Sequence, residues 1–268
     1  MNTKPIAGAA TRALALTAHV GYWGIRHHFR FRSRVRRDFG FSSIRPRRLR
    51  SWNLGGAIYR CSDPGGRPLF VKVAAFPALV RNEVEALQTL EARAPLDVAI
   101  PQLRYYALEP PYPFVALDWI NAPSLEETIR HKFTIDAEHL ADALVRALDM
   151  LDAAEIVHRD ITPRNLLITG GTPGLVLSDF AFSVRPDTAA ARDAEIPVAA
   201  LCTLGDGFNP EPFVWDDAWA ALGVIDWLES LGYAIPAAVR RELEMRVGRR
   251  SLRAAPLETP KRIEPCHG

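Results

Sequence analysis

Cysteine is scarce. Three occur, at Cys61, Cys202 and Cys266; an odd number at those spacings builds neither a disulfide framework nor a zinc site and suits a reducing compartment. Long apolar runs are also missing. A spanning helix needs about 20 consecutive apolar residues, and the nearest candidate, Ile6 to Ile25, is broken by Arg12 and His19. The amino end lacks an apolar core with a cleavage site, which argues against secretion. Acids are nearly absent from the first 50 residues. Asp38 stands alone there against 12 Lys and Arg, a net +11, whereas the remaining 218 residues carry a net −9. No internal repeat is found.

What is present is the composition of a globular protein: 268 residues, 48% hydrophobic and 24% charged. That excludes collagen, a disulfide miniprotein and a wholly disordered chain. The length suggests one or two domains. The basic run 26–37 reads two ways. As a helix it puts Arg30, Arg34 and Arg37 on one face; as a strand it alternates arginines with Phe29, Phe31, Ser33 and Val35. Either way aromatics interleave charge. This suits an anionic membrane surface. Nucleic acid is disfavoured because the acidic body offers no second basic surface. A plain solvated extension is the bland alternative.

From about residue 48 the pattern becomes β. LRSWNL (49–54), AIYRCS (57–62) and LFVKVA (69–74) are short candidate strands, with Gly55-Gly56 and Asp63-Pro64-Gly65-Gly66 as breaks. A helix follows over 79–93, with Leu79, Val80, Val84, Leu87 and Leu90 along one side. Two further strands, QLRYYAL (102–108) and PFVALDWI (113–120), flank the proline-dense EPPYP. The second half is mainly helical: an amphipathic helix over 136–155, two short strands over 166–169 and 175–180, some thirty irregular residues, then an apolar helix from Trp215.

The chemistry concentrates in IVHRDITPRNLLI (156–168). His158-Arg159-Asp160 precedes Asn165 by the spacing H-R-D-x-x-x-x-N, and Ser178-Asp179-Phe180-Ala181 follows after two apolar strands. This region resembles the protein-kinase-like superfamily, in a compact form similar to small bacterial-type kinases. The physics fits the spacing. Phosphoryl transfer needs positioning and charge neutralisation. One carboxylate, Asp160, orients an acceptor hydroxyl and takes its proton. Mg²⁺ wants a few oxygen ligands beside phosphate oxygens, and Asn165 and Asp179 supply one each.

The resemblance carries further roles onto matching residues. Lys72, in Val71-Lys72-Val73, would contact the α/β-phosphates, with Glu83 as its carboxylate partner and Glu85 as the alternative. Gly55 and Gly56 stand where a phosphate-covering loop would lie, although a plain hairpin turn fits them equally. Backbone groups near Asp118 and Ile120 would meet an adenine. Asp217 would anchor the catalytic loop, with Asp216 one residue away as the alternative.

Several positions depart from the pattern. Ala181 replaces the glycine of D-F-G. Thr162 replaces the lysine two after the catalytic Asp, and Arg164 is offered as the replacement charge. No A-P-E follows, and hydroxyls between Phe182 and Pro212 are few: Ser183, Thr188 and Thr203.

The expectations are therefore an α+β, bilobal, protein-kinase-like fold, with a small antiparallel β-rich N-lobe holding one helix and a short, mainly helical C-lobe. Residues 1–47 would form a basic arm or helix, 48–247 the kinase-like domain (N-lobe about 48–117, C-lobe about 118–247) and 248–268 a tail. The activity would be ATP- and Mg²⁺-dependent phosphotransfer to a hydroxyl, a protein Ser/Thr/Tyr slightly preferred over a membrane-borne sugar or lipid. The departures leave a pseudokinase binding module as the rival. The location would be cytoplasmic or peripheral on the inner face of a membrane; the oligomeric state is left open.

Overall fold

A computed structural model describes residues 27–48, 56–74, 76–92, 99–170, 174–202, 204–205 and 207–254. The expected strand 49–54, Gly55, Thr203 and Cys266 lie outside the described residues. The architecture is α+β, and the chain divides into two compact units. One comprises residues up to Pro77 with Arg104–Trp119; the other comprises Ala78–Leu103 and everything from Ile120.

The first unit is a five-stranded sheet in the order β1-β2-β3-β5-β4, under one helix. Residues 27–39 form that helix, α1. β1 is Ser42–Arg48, β2 Gly56–Ser62, β3 Pro68–Ala74, β4 Leu103–Ala107 and β5 Phe114–Asp118. β1/β2, β2/β3 and β3/β5 pair antiparallel. Alternation along β2 and β3 sends Ala57, Tyr59, Cys61, Leu69, Val71 and Val73 to one face. There they meet Phe31 and Val35 of α1, one helical turn apart, with Phe41, Ile44 and Phe114. The rings interlock edge to face, Phe31 to Phe114 at 5.9 Å and Phe39 to Phe114 at 5.0 Å.

This corrects two expectations. The helix expected among residues 1–47 is present over 27–39, but it and the strand after it belong to the sheet unit rather than lying outside the domain, because Phe31, Val35, Phe41 and Ile44 cover the sheet. The helix of this unit is α1; the one that follows β3, α2 (Pro77–Glu91), clusters with the second unit. The chain passes between units at Pro77–Ala78, Leu103–Arg104 and Trp119–Ile120, where a single boundary at 117–118 was expected.

The second unit holds α2, α3 (Leu125–Arg130), α4 (Ala137–Ala154), the hairpin β6 (Leu166–Ile168) and β7 (Leu175–Leu177), α5 (Ala189–Asp193), α6 (Val198–Leu201), β8 (Val214–Trp215), α7 (Asp217–Ser230), α8 (Ala237–Arg246) and β9 (Leu252–Arg253). α3 starts in a capping box, Ser124 with Glu127. α4 buries Leu140, Leu144, Ala147, Leu148 and Leu151, the stripe its sequence spells, and packs against α7 and α8. The stretch after Gly248 is not a simple tail. β9 pairs with β8 through Val214–Arg253 and Trp215–Leu252.

Candidate active site

The β6/β7 hairpin builds the site. Its register pairs Leu166 with Leu177, so Asn165 just before β6 and Ser178-Asp179 just after β7 fall side by side. Ser178 seals the junction: its backbone N–H and its hydroxyl both donate to the Asn165 carbonyl at 2.9 Å.

Asp160, Asn165 and Asp179 then line one cavity of about 550 Å³, together with Glu126, Thr162, Pro163, Arg164, Phe208 and Trp227. All nine belong to the second unit. The Asn165 amide donates to the Asp160 carbonyl at 2.9 Å and to its Oδ2 at 2.7 Å. With Nδ2 so committed, Oδ1 is the atom left for a cation. Asp160 Oδ1 accepts the Gly205 N–H at 3.1 Å. A carboxylate oxygen holds two lone pairs, so one accepted N–H does not by itself exhaust it. Arg164 pairs with Glu126 at 3.2 Å on the same wall, which offsets part of the charge it was expected to bring.

Behind the cavity the loop is buried and braced. His158 packs edge-on against Phe180, with ring centroids 4.7 Å apart. Asp217 accepts the His158 N–H at 2.6 Å and the Arg159 N–H at 3.0 Å. Of the two acids offered, Asp217 is thus the anchor. Asp216 instead caps α7 through the Trp219 N–H. Burial pushes the Asp217 carboxyl up to about 6, against the two N–H bonds that pull it down. The Arg159 side chain is fully buried, bonds Asp193 Oδ1 at 2.7 Å and lies over the Trp215 ring at 4.8 Å.

The remaining candidates are placed as follows. Lys72 lies mid-strand in β3, between Ile58 of β2 and Val115 of β5, half-buried in the first unit. Glu83 is buried on α2 in the second unit. Glu85, the alternative partner for Lys72, is taken by Arg192 at 2.6 and 2.8 Å. Gly56 pairs with Ala74, and a Cβ there would stand 2.3 Å from the Val73 carbonyl oxygen. Strand pairing by itself therefore demands a glycine at 56. Asp118 binds Arg104 at 2.8 and 2.5 Å. The Trp119 N–H, within the stretch expected to meet adenine, already donates to the Pro68 carbonyl. Ile120, half-buried, opens the second stretch of the helical unit.

Sequence reasoning missed Asp193, Gly205, Phe208, Trp215 and Trp227. Asp193 sits in an unpatterned A-R-D-A-E run, and the tryptophans read as ordinary core of an apolar helix.

No protein-family profile matches the chain. The human serine/threonine-protein kinase/endoribonuclease IRE2 is 31% identical over 153 residues, which is 53% of this chain. The chain spans 16% of that relative's length. The likeness points to a kinase-like relationship.

Proposed function

We propose that this chain is an ATP-dependent phosphotransferase of the protein-kinase type. The observation that carries the proposal is the convergence of Asp160, Asn165 and Asp179 on one cavity, with Asn165 bonded to Asp160. In the proposed reaction an acceptor oxygen bonds to the γ-phosphorus as the bond to the β–γ bridging oxygen breaks. ADP leaves with that electron pair, and the hydroxyl proton passes to an Asp160 carboxylate oxygen.

One amide oxygen and one carboxylate suit Mg²⁺, which keeps few protein ligands. Among the described residues no cluster of three His, Cys, Asp or Glu could hold a metal unaided, so phosphate oxygens would complete the set. Asn165 Oδ1 and Asp179 would hold the ion, whose charge offsets that of the phosphates. Lys72 would contact the phosphates with Glu83 as partner, and Arg164 would steer the transferring group.

A protein hydroxyl remains the first acceptor. One observation favours a second: Phe208 and Trp227 put two aromatic rings on the wall of the cavity that holds Asp160. Aromatic faces beside a polar rim suit a ring-shaped acceptor such as a membrane-borne sugar. A cytoplasmic location fits ATP chemistry, and the exposed Arg30, Arg36 and Arg45 support peripheral attachment to an anionic inner leaflet. Among the described residues no helix is long and apolar enough to cross a membrane.

The test is ATP turnover with Mg²⁺ in wild type, Asp160→Asn and Lys72→Ala, with protein and sugar acceptors in parallel. A loss of about 10²–10⁴-fold is expected on removing the base. Equal turnover in all three proteins sinks the proposal. Nucleotide binding without turnover in any of them assigns a pseudokinase instead.

A further inference from the structure

Positive charge converges on one face of the sheet unit. Arg45 of β1 and Arg60 of β2 are direct cross-strand partners, and Arg60 is in turn paired with Phe70 of β3. Their neighbours Ile44 and Cys61 turn to the core under α1, so Arg45, Arg60 and Phe70 form a row on the opposite face. The β1/β2 register shifts between Pro46 and Arg48, the kind of irregularity that re-aims a side chain. The Arg47 guanidinium comes to 5.1 Å from the centre of the Trp119 ring, and that of Arg60 to 4.6 Å. The Phe70 ring stands 6.2 Å from the same indole. All five residues belong to this one unit.

We propose that Arg45, Arg47 and Arg60, ordered around Trp119, are a binding site for a doubly charged phosphate group, carried by a lipid headgroup or by a free phosphorylated molecule. The inference does not rest on the phosphotransferase reading and uses none of the side chains given a role there.

Three arguments support it. First, the charges are uncompensated. Among the described residues, no ion pair or side-chain hydrogen bond engages Arg45, Arg47 or Arg60. Asp38, Asp63 and Asp118 of this unit are spent on other arginines: Arg34 and Arg37, Arg67, and Arg104. Like charges directly across two strands destabilise a sheet. The guanidinium carbons of Arg47 and Arg60 also lie within about 10 Å of each other, a range over which salt screens incompletely. An anion placed among them replaces repulsion with attraction. Second, the guanidinium forks are held ready. A guanidinium stacked on an indole face keeps its in-plane N–H donors clear of the ring. Trp119 therefore orders Arg47 and Arg60 without consuming the groups that bind a phosphate. Third, three neighbouring cations call for more charge than one carboxylate brings. A phosphate monoester carries about −1.5 to −2 at pH 7, with three acceptor oxygens. All three arginines are exposed, so the site is open to a phosphate on a surface as well as to one in solution.

The experiment uses the full chain and two probes that present the same phosphate monoester. Glycerol 3-phosphate is titrated by calorimetry, and phosphatidylcholine vesicles containing phosphatidic acid are tested by sedimentation. Arg47→Gln and Arg60→Gln are each expected to weaken binding at least threefold, and the double variant at least 10-fold. Trp119→Phe keeps an aromatic face and should hold affinity within threefold, whereas Trp119→Leu should lose at least fivefold. Arg241→Gln, which removes the same charge from α8, should stay within twofold, as should Lys72→Ala.

Arginine-dependent binding of glycerol 3-phosphate supports the site with a free phosphorylated ligand; arginine-dependent binding of the vesicles alone supports it with a lipid headgroup. Wild-type affinity in the double variant overturns the site, and so does failure of both probes to bind the wild type. A loss in Arg241→Gln as large as that in Arg60→Gln overturns it too, because net charge alone then explains the binding. An equal loss in Lys72→Ala puts the phosphate on the residue proposed for nucleotide contact, and again overturns it. If Trp119→Leu does not fold, the arginine variants decide.

Discussion

Asp217 and Arg159 lie 58 positions apart, yet the Asp217 carboxylate accepts the Arg159 backbone N–H at 3.0 Å. Its other oxygen holds the neighbouring His158 N–H. A carboxylate that takes two amides from one turn fixes the direction of the next side chain, Asp160. Asn at 217 has one acceptor oxygen and would turn an NH₂ toward the second amide. Asp217→Asn is therefore expected to cut turnover at least 10-fold, with a melting shift of only a few degrees at pH 7 because it also removes a buried charge. Steady-state kinetics beside thermal unfolding checks this.

The same residue sets a pH dependence. Burial pushes its carboxyl up to about 6, and nearby Asp216 and Asp152 act in the same direction. Between about pH 4 and 6 the folded chain holds a proton that the unfolded chain has released. The stabilisation from this group is thus complete below about pH 4 and is lost as pH rises through about 6, a difference on the order of 3 kcal/mol. Wild-type and Asp217→Asn unfolding free energies, compared from pH 4 to 8, should diverge along that curve. A difference that does not change with pH would refute it.

Gly56 offers a stability test. An added Cβ would meet the Val73 carbonyl oxygen at 2.3 Å, and that atom belongs to the paired strand rather than to a movable side chain. Gly56→Ala should destabilise the sheet unit by about 1–3 kcal/mol, the usual scale of overpacking. Urea denaturation measures it. Unchanged stability would return this glycine to its phosphate-contact role.

Phe31 tests whether α1 belongs to the fold. Its ring is fully buried against Tyr59 at 4.8 Å and Phe114 at 5.9 Å. Phe31→Ala should cost about 3–5 kcal/mol. A loose arm would lose almost nothing, so a calorimetric melt distinguishes the cases.

The exposed arginines of α1 and β1 test membrane attachment. Arg30, Arg36 and Arg45 are exposed, as is Phe29. Each arginine near an anionic bilayer contributes about 1 kcal/mol, so replacing all three with Gln should weaken sedimentation with phosphatidylserine liposomes on the order of 100-fold. Equal sedimentation of variant and wild type would assign these charges to solvent.

Much of the helical unit could be read from its residues. The stripe of α4 and the run Ile156 to Asn165 carry periodicity and spacing, which are local properties. The pairing of Asn165 with Asp160 follows from that spacing as well. The first unit was harder to read. Residues 27–37 fit a helix and a strand equally, because arginine flanks each aromatic. Only the presence of a sheet for Phe31 and Val35 to cover decides between them. Asp193 was invisible for a different reason: its partner is 34 positions away, and no local pattern marks an acid whose role is to meet a distant cation. Gly56 was ambiguous because glycine is required equally by a close phosphate and by a close carbonyl.

Asp216 has a consequence for how this chain can be handled. Besides the Trp219 N–H at 2.9 Å it gathers the Gly248 N–H at 2.7 Å and the Ser251 hydroxyl at 2.8 Å, while Ala254 donates to the Phe213 carbonyl. The stretch after α8 is thereby stitched to the threshold of α7, one residue from the Asp217 anchor. Trimming the protein at 247 for expression would strip two donors from a buried acid and unpick a seam that ends beneath Arg159.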